Sequence, residues 1–270
     1  MIATAILAIR NEEAYLANCL RHLVRNGIRF AIIDNGSTDS SAAIYGRHEF
    51  AASLVDVQEL PFSGVFSLEE QLRRKMMIVD AIDTDWVIHL DADEMMHSYQ
   101  ENESLIEALS RLDAAGWNAV NFDEYVFLPV DGEYPPELAD FPPLAHYYFF
   151  EPRPLRLMRA WCKAKGFSLL KDGGHSLAGS DIRLAREHLC LRHYIVRSQA
   201  HAFVKYVTRK FAAEELARGW HHPRPNHTAS SFRFPPTSAL KRLARVQDRK
   251  FDRSDPWHMH YWQLGNDLQR

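Results

Sequence analysis

The feature that most constrains this chain is an alternation over its first 120 residues. Three apolar runs, Ile2–Ile9, Ile28–Ile33 and Trp86–Leu90, are separated by segments whose apolar residues recur every three or four positions. Runs apolar at nearly every position suit strands covered on both faces, and the longer spacing suits one face of a helix. After Ile2–Ile9, Asn11 offers a helix cap with Glu12 and Glu13 in the first turn. Leu16, Leu20, Leu23 and Val24 then share a face, and Gly27 is a natural stop. Ile28–Ile33 runs into Asp34-Asn35-Gly36-Ser37-Thr38-Asp39, where Gly36 permits a tight turn and Ser37, Thr38 or Asp39 can cap the next helix. A third strand is expected within 51–60. Ser67 and Glu70 have capping-box spacing ahead of Leu68, Leu72, Met76 and Val79. Ser104–Ala115 reads as another amphipathic helix, and Trp117–Phe122 as a strand. Strands separated by helices imply βαβ units and a mostly parallel sheet, whose ligands gather at the carboxyl ends of the strands.

The character changes after Phe122. Prolines interrupt the chain from Pro129 to Pro154, and aromatics crowd Tyr147–Phe150. This predicts irregular functional surface. A helical pattern returns over Ser198–Gly219, and a basic helix is expected over Thr237–Arg253. The chain therefore divides, as an expectation, into residues 1–120, 121–197 and a helical extension, 198–270. A formal net charge of −3 suggests no nucleic-acid partner. Cys19, Cys162 and Cys190 lack a CxxC pair and read as reduced thiols in a cytoplasmic protein. No run approaches the ~18 apolar residues of a membrane span. Lys241, Arg242, Arg245, Arg249 and Lys250, set among Leu240, Leu243 and Val246, allow peripheral contact with an anionic membrane face. His221, His222 and His227 lack the regular spacing of a zinc site. Oligomeric state is not readable from the sequence.

The chemistry concentrates in Asp91-Ala92-Asp93-Glu94, directly after a strand. Three carboxylates within four positions repel one another unless a positive charge is shared. A hard divalent cation, Mn²⁺ or Mg²⁺, suits oxygen ligands, and a diphosphate can complete its shell.

Three segments together resemble a family 2-type glycosyltransferase of the GT-A fold. They are Ile9-Arg10-Asn11-Glu12-Glu13, Ile33-Asp34-Asn35-Gly36-Ser37-Thr38-Asp39, and Trp86-Val87-Ile88-His89-Leu90-Asp91-Ala92-Asp93-Glu94. The resemblance implies an α/β, Rossmann-like sheet flanked by helices. Residues 1–120 would be its nucleotide-sugar-binding half and 121–197 its acceptor side. It implies a UDP-sugar or related donor, a divalent metal, and transfer of a hexosyl or related group to a glycan or lipid-linked acceptor, with inversion. Ala8, Arg10 and Glu12 would line the base and ribose pocket, and Asp34 would accept a hydrogen bond from the base. Asp91 would face ribose or a metal-bound water, Asp93 would ligate the metal, and Arg74 or Lys75 would meet the diphosphate. A late histidine, His193 ahead of His175, would be a further metal or diphosphate ligand, with Arg197 nearby.

An inverting transferase needs a carboxylate base. Asp123, Glu124 and Asp172 are the candidates, with Glu151 and Asp181 behind them, and no local pattern chooses among them. Two other functions compete. A sugar-1-phosphate nucleotidyltransferase also couples nucleotide to metal, but Ala8-Ile9-Arg10-Asn11-Glu12 lacks the glycine-rich loop expected of one. Against a non-catalytic nucleotide- or glycan-binding relative stand the intact Asp91/Asp93 pair and Asp34, while the lack of an identifiable base keeps that reading open.

Overall fold

The computed structural model describes residues 1–130, 145–153, 157–221, 228, 232–245 and 247–263. In chain order its strands are β1 (Ala3–Ile9), β2 (Arg29–Asp34), β3 (Leu54–Glu59), β4 (Trp86–Leu90), β5 (Glu94–His97), β6 (Ala119–Phe127), β7 (His146–Phe150), β8 (Met158–Cys162), β9 (Leu189–His193) and β10 (Lys241–Arg242). The α-helices are α1 (Glu13–Arg25), α2 (Ser41–Tyr45), α3 (Leu68–Ala81), α4 (Leu105–Ala114), α5 (Gln199–Ala202) and α6 (Ala213–Ala217). The chain forms two compact units. The first is Met1–Phe62, Leu68–Phe122 and Arg156–Leu191; the second is Ser63–Ser67, Asp123–Leu155 and Arg192–Arg270.

The first unit is the expected α/β layer structure. β1 lies between β2 and β4 and is parallel to both, and β3 continues the parallel sheet beyond β2. β8 adds antiparallel to β4, and the start of β6 adds antiparallel to β8. The central strands are apolar throughout because both faces are covered. Ile6, Ile33 and Val87 from the sheet pack with Leu72 and Val79 of α3 and Trp161 of β8. Leu16, Leu20 and Leu23 of α1 are fully buried, each contributing roughly 1.5–3 kcal/mol relative to exposure.

Asn11 does not cap α1, contrary to expectation. It adopts left-handed backbone, φ 56°, and its Oδ1 accepts from the backbone N–H of Thr38 at 2.7 Å. Asp39 takes over the capping: one carboxylate oxygen accepts from Glu13 N–H at 3.0 Å and the other from Ser41 N–H at 2.9 Å. One acidic side chain thus serves the first residues of both α1 and α2, where unpaired N–H groups favour an anion.

The second unit departs further from the sequence expectations. Tyr147–Phe150 lies within a regular strand, β7, which pairs antiparallel with the end of β6. The prolines at 135, 136, 142, 143 and 154, together with His222 and His227, lie outside the described residues. No helix spans Thr237–Arg253 among the described residues. A short turn at Thr237–Ala239 follows Pro235 and Pro236, and Lys241 and Arg242 pair with Tyr147 and His146 as β10. Pairing with an open strand edge outweighs the helical spacing of Leu240 and Leu243. Ser198–Gly219 holds only the short helices α5 and α6 and a π-turn over Phe203–Val207. The core of this unit joins Val126, Tyr148, Tyr206, Phe232 and Trp262.

α4 carries a full capping box. Glu107 N–H donates to Ser104 Oγ at 3.4 Å, and Ser104 N–H donates to Glu107 Oε2 at 2.8 Å. Ser104→Ala should lower unfolding free energy by about 1 kcal/mol, read as a reduced urea midpoint at constant slope. Ser104→Asp should restore most of the loss, and an unchanged midpoint in Ser104→Ala would contradict the capping role.

Candidate active site

Parallel pairing brings the decisive strand ends together. Ile9 lies opposite Asp34, and Leu7 opposite Leu90. Arg10, Asn35 and Asp91, the next residues out, therefore emerge at one edge of the first unit's sheet, where α/β proteins bind ligands.

On the β1–β2 side the backbone is tightly organised. Asp34 is buried; its Oδ1 accepts from Ser37 N–H at 2.8 Å and its Oδ2 from the Tyr45 hydroxyl at 3.2 Å. Burial and this carboxylate push the Tyr45 phenol up to about 12. Arg10 donates to Asn35 O at 2.9 Å and to Gly36 O, and its guanidinium lies 3.4 Å over the Phe62 ring. Gly36 is required here. Its φ is +66°, and a Cβ would meet Phe62 Cβ at 3.2 Å and an Arg10 nitrogen at 3.4 Å. Ala8 packs against the core, and Glu12 N–H is held by Ser41 Oγ at 2.9 Å.

The carboxylate turn after β4 is built differently from its outline in sequence. Glu94 N–H donates to Asp91 O at 3.1 Å, and Asp91 N–H donates to Glu94 Oε2 at 3.0 Å, so the turn is closed from both sides. Glu94, only 1% exposed, also accepts from Arg159 of β8 at 3.0 Å. Glu94 is thus a structural carboxylate. Asp93 is buried (4% exposed), whereas the Asp91 side chain is half exposed.

Lys75 meets this turn, and Arg74 does not share its contacts. The Lys75 ammonium is buried; it contacts His89 Nδ1 at 3.0 Å and Leu90 O at 3.1 Å, and lies 3.9 Å from Asp91 Oδ1. Burial lowers its pKa to about 8, against the opposing pull of Asp91. Burial first, then the positive charges of Lys75 and Arg159, push His89 well below its usual range. His89 is therefore neutral. An ammonium only donates, so Nδ1 is the acceptor and the imidazole proton sits on Nε2. Gly174 makes room for that ring: a Cβ there would come within 3.3 Å of His89 Nε2 and 2.9 Å of Leu72. Beneath the turn, burial followed by Glu94 and Asp93 raises the Cys19 thiol, which stays protonated.

The remaining candidates are divided between the units. Asp172, exposed and left-handed at φ 50°, accepts from the Ser176 hydroxyl at 2.5 Å. His175 follows it, and its charge acts on His89. Both belong to the first unit. In the second unit, successive residues of β6 point to opposite faces. Asp123 pairs with Arg253 at 3.1 Å, and Glu124 with His193 Nδ1 at 2.6 Å. Arg197 N–H donates to His201 Nδ1 at 3.2 Å. His89, Arg159, Phe62 and Tyr45 were not singled out from the sequence. His89 lay in plain view as a polar residue in an apolar strand; Arg159 had no local signal.

The Asp91–Asp93 donor set fits a hard divalent cation. Two carboxylates from one turn supply oxygen ligands, leaving other positions to water or phosphate. Among the described residues, no group of three or more His, Cys, Asp or Glu side chains is arranged to hold a metal.

Residues 4–137 match the model of glycosyl transferase family 2. A lipopolysaccharide core biosynthesis glycosyltransferase, LpsC of Rhizobium meliloti (strain 1021), is 29% identical over 119 residues, 42% of this chain and 40% of that protein. Among solved structures, S. aureus TarS 1–349 in complex with UDP aligns over 73% of this chain and 61% of its own, at 15% identity and a TM-score of 0.45. The Pyrobaculum calidifontis mannosyltransferase PcManGT, in complex with GDP-Man and Mn²⁺, aligns over 44% and 34%, at 19% identity and a TM-score of 0.34. The chain thus spans less than two thirds of these proteins' lengths.

Two outcomes follow from the geometry. Arg159→Met strands Glu94 as a buried charge and should cost about 3–5 kcal/mol. Adding Glu94→Gln should recover much of that in urea denaturation; no recovery would show that the two side chains are not coupled. For Lys75, the folded chain binds its proton less tightly than the unfolded one. Between pH 8 and 10.5 the unfolded state therefore holds more protons, and stability rises with pH across that window. Lys75→Met should flatten the rise, measured as unfolding free energy at pH 7.5, 8.5 and 9.5.

Proposed function

We propose, from the match of residues 4–137 to the model of glycosyl transferase family 2, that this chain transfers a sugar from a nucleoside-diphosphate sugar to a glycan or lipid-linked acceptor. The observation that carries this is the convergence at one sheet edge of a half-open Asp91 and buried Asp93, Lys75 behind them, and Asp34 with Arg10 at the adjoining strand ends. A transferase needs these elements: an anchor for the base, oxygen ligands for a cation and a positive charge for the diphosphate.

The geometry supports the following roles. Asp34, held by Ser37 and Tyr45, retains lone pairs to accept an N–H from the base, which suits a uracil donor. Arg10 presents a fixed planar guanidinium beside the base and ribose, with Ala8 and Glu12 near them. Asp93, with Asp91, would hold Mn²⁺ or Mg²⁺, which when bound supplies charge stabilisation to the departing diphosphate. Lys75 adds a fixed positive charge beside Asp91. For the base, Glu124 with His193 is favoured. Their 2.6 Å contact holds the carboxylate in one orientation and gives the imidazole a partner that supports its protonated form. In this assignment His193 acts with Glu124 and is not a metal ligand. Inversion at the anomeric carbon follows from direct attack by the deprotonated acceptor hydroxyl. Action at a cytoplasmic membrane face would place the enzyme beside lipid-linked acceptors. No helix among the described residues is long and apolar enough to cross a membrane.

Calorimetry with UDP-, GDP- and dTDP-sugars, with and without Mn²⁺, tests the donor side. Metal-dependent binding is expected for at least one donor, and Asp93→Ala should abolish it with the fold intact. Binding that is equally strong without metal, or in Asp93→Ala, would overturn the metal assignment. Glu124→Gln should leave donor affinity unchanged while lowering turnover by roughly 10²–10⁴-fold. Unchanged turnover would remove Glu124 as the base.

A further inference from the structure

The second unit contains a cavity of about 250 Å³ lined by Tyr148, Trp257, Leu240, Ser238, Lys241 and Asp255. Its aromatic wall is fixed in place. Trp257 stacks on Tyr148 with ring centres 4.3 Å apart and planes 17° apart. The Trp257 backbone is held from both sides, its N–H donating to Phe149 O at 2.8 Å and its carbonyl accepting from Glu151 N–H at 2.9 Å. Tyr148 is buried in β7, and its hydroxyl contacts His260 Nδ1 at 2.9 Å.

The polar wall differs in a telling way. Lys241 is occupied by Asp252 at 2.9 Å and Ser254 at 2.7 Å, so its charge is answered within the chain. Asp255 and Ser238, both exposed, also line the cavity, and neither side chain has a hydrogen bond or ion pair with the described residues. Asp255 is held in left-handed backbone at φ 49°. A rigid aromatic face beside an uncommitted carboxylate and hydroxyl matches a sugar ring, which has an apolar C–H face and hydroxyls around its edge. The volume lies below the ~300–1,000 Å³ typical of clefts for drug-sized ligands, so it suits one sugar residue. The pairing of Lys241 removes the attraction that an acidic sugar or a phosphate would need. By contrast, the larger opening of about 630 Å³ in the first unit is lined by groups that serve the fold. There Asp85 accepts from Ile2 N–H, Asp113 from the Trp86 indole, and Lys163 donates to Ile82 O.

We propose that the Trp257–Asp255 cavity binds one neutral sugar residue of the acceptor glycan, stacking it on Trp257 and accepting hydrogen bonds from its hydroxyls at Asp255. This rests on the proposed transferase activity for the word acceptor alone; binding of the sugar is independent of it. The probes are methyl glycosides of glucose, galactose, mannose and N-acetylglucosamine, followed by saturation-transfer NMR on the full chain. At least one should bind, with ring C–H protons receiving the strongest transfer. Trp257→Ala and Asp255→Asn should each weaken that binding at least fivefold. Asparagine tolerates left-handed backbone, so Asp255→Asn keeps the site testable if Trp257→Ala fails to fold. Absence of transfer to every glycoside, or equal transfer in Asp255→Asn and wild type, overturns the proposal. Calorimetry of UDP binding on the same samples separates the two ideas. Wild-type UDP affinity in Asp255→Asn, together with lost glycoside binding, supports a distinct sugar site. Glycoside binding by a chain that binds no nucleotide upholds the sugar site and removes the transferase.

Discussion

The first unit depends on how a sheet edge tolerates Asp91, Asp93 and Glu94 within four residues of a buried strand. Unanswered, such charges would cost several kcal/mol each. The chain answers them from two directions: Arg159 reaches Glu94 from the antiparallel strand β8, and Lys75 reaches Asp91 from α3. Glu94 in turn closes the turn by accepting the Asp91 N–H. Glu94 therefore fixes the backbone of the turn, and Asp91 is the member of the turn whose side chain stays half exposed.

That arrangement explains the neutral histidine beside it. Lys75 can be buried only if its ammonium finds acceptors, and Leu90 O and His89 Nδ1 supply them. A protonated imidazole would turn one acceptor into a donor and place a third positive charge beside Lys75 and Arg159. Burial of His89 and the charge of Lys75 thus reinforce each other, and the close approach of Gly174 completes the packing.

The parallel strands were legible because burial on both faces leaves an apolar mark at nearly every position, as in Ile2–Ile9. Asp34 and the Asp91–Glu94 turn were legible because the one ends such a strand and the other directly follows one. Long-range contacts were not. Arg74 and Lys75 are neighbours on a helix, and which faces the turn depends on a 100° rotation that no local residue reports. Asn11 has the residue type of a cap, yet the cap comes from Asp39 in another loop, because β1 and β2 end side by side. Arg159 sits in Met158–Cys162, a strand whose sequence carries no acidic neighbour to announce its partner. The tail failed for a related reason: Leu240 and Leu243 keep helical spacing, but the edge of β7 offers Lys241 and Arg242 hydrogen bonds that outweigh it.

Strand β6 shows why the proposed base was the least legible element. All nine of its residues are buried, so Asn121, Asp123 and Glu124 needed partners from elsewhere in the chain. Alternation along a strand sends Asp123 and Glu124 to opposite faces, where they meet Arg253 and His193. In sequence the two are an adjacent acidic pair with no distinguishing context. In structure they differ in kind. The guanidinium of Arg253 offers Asp123 only donors. An imidazole nitrogen can donate or accept, so Glu124 is the member of the pair whose partner fits the proton transfer proposed for it.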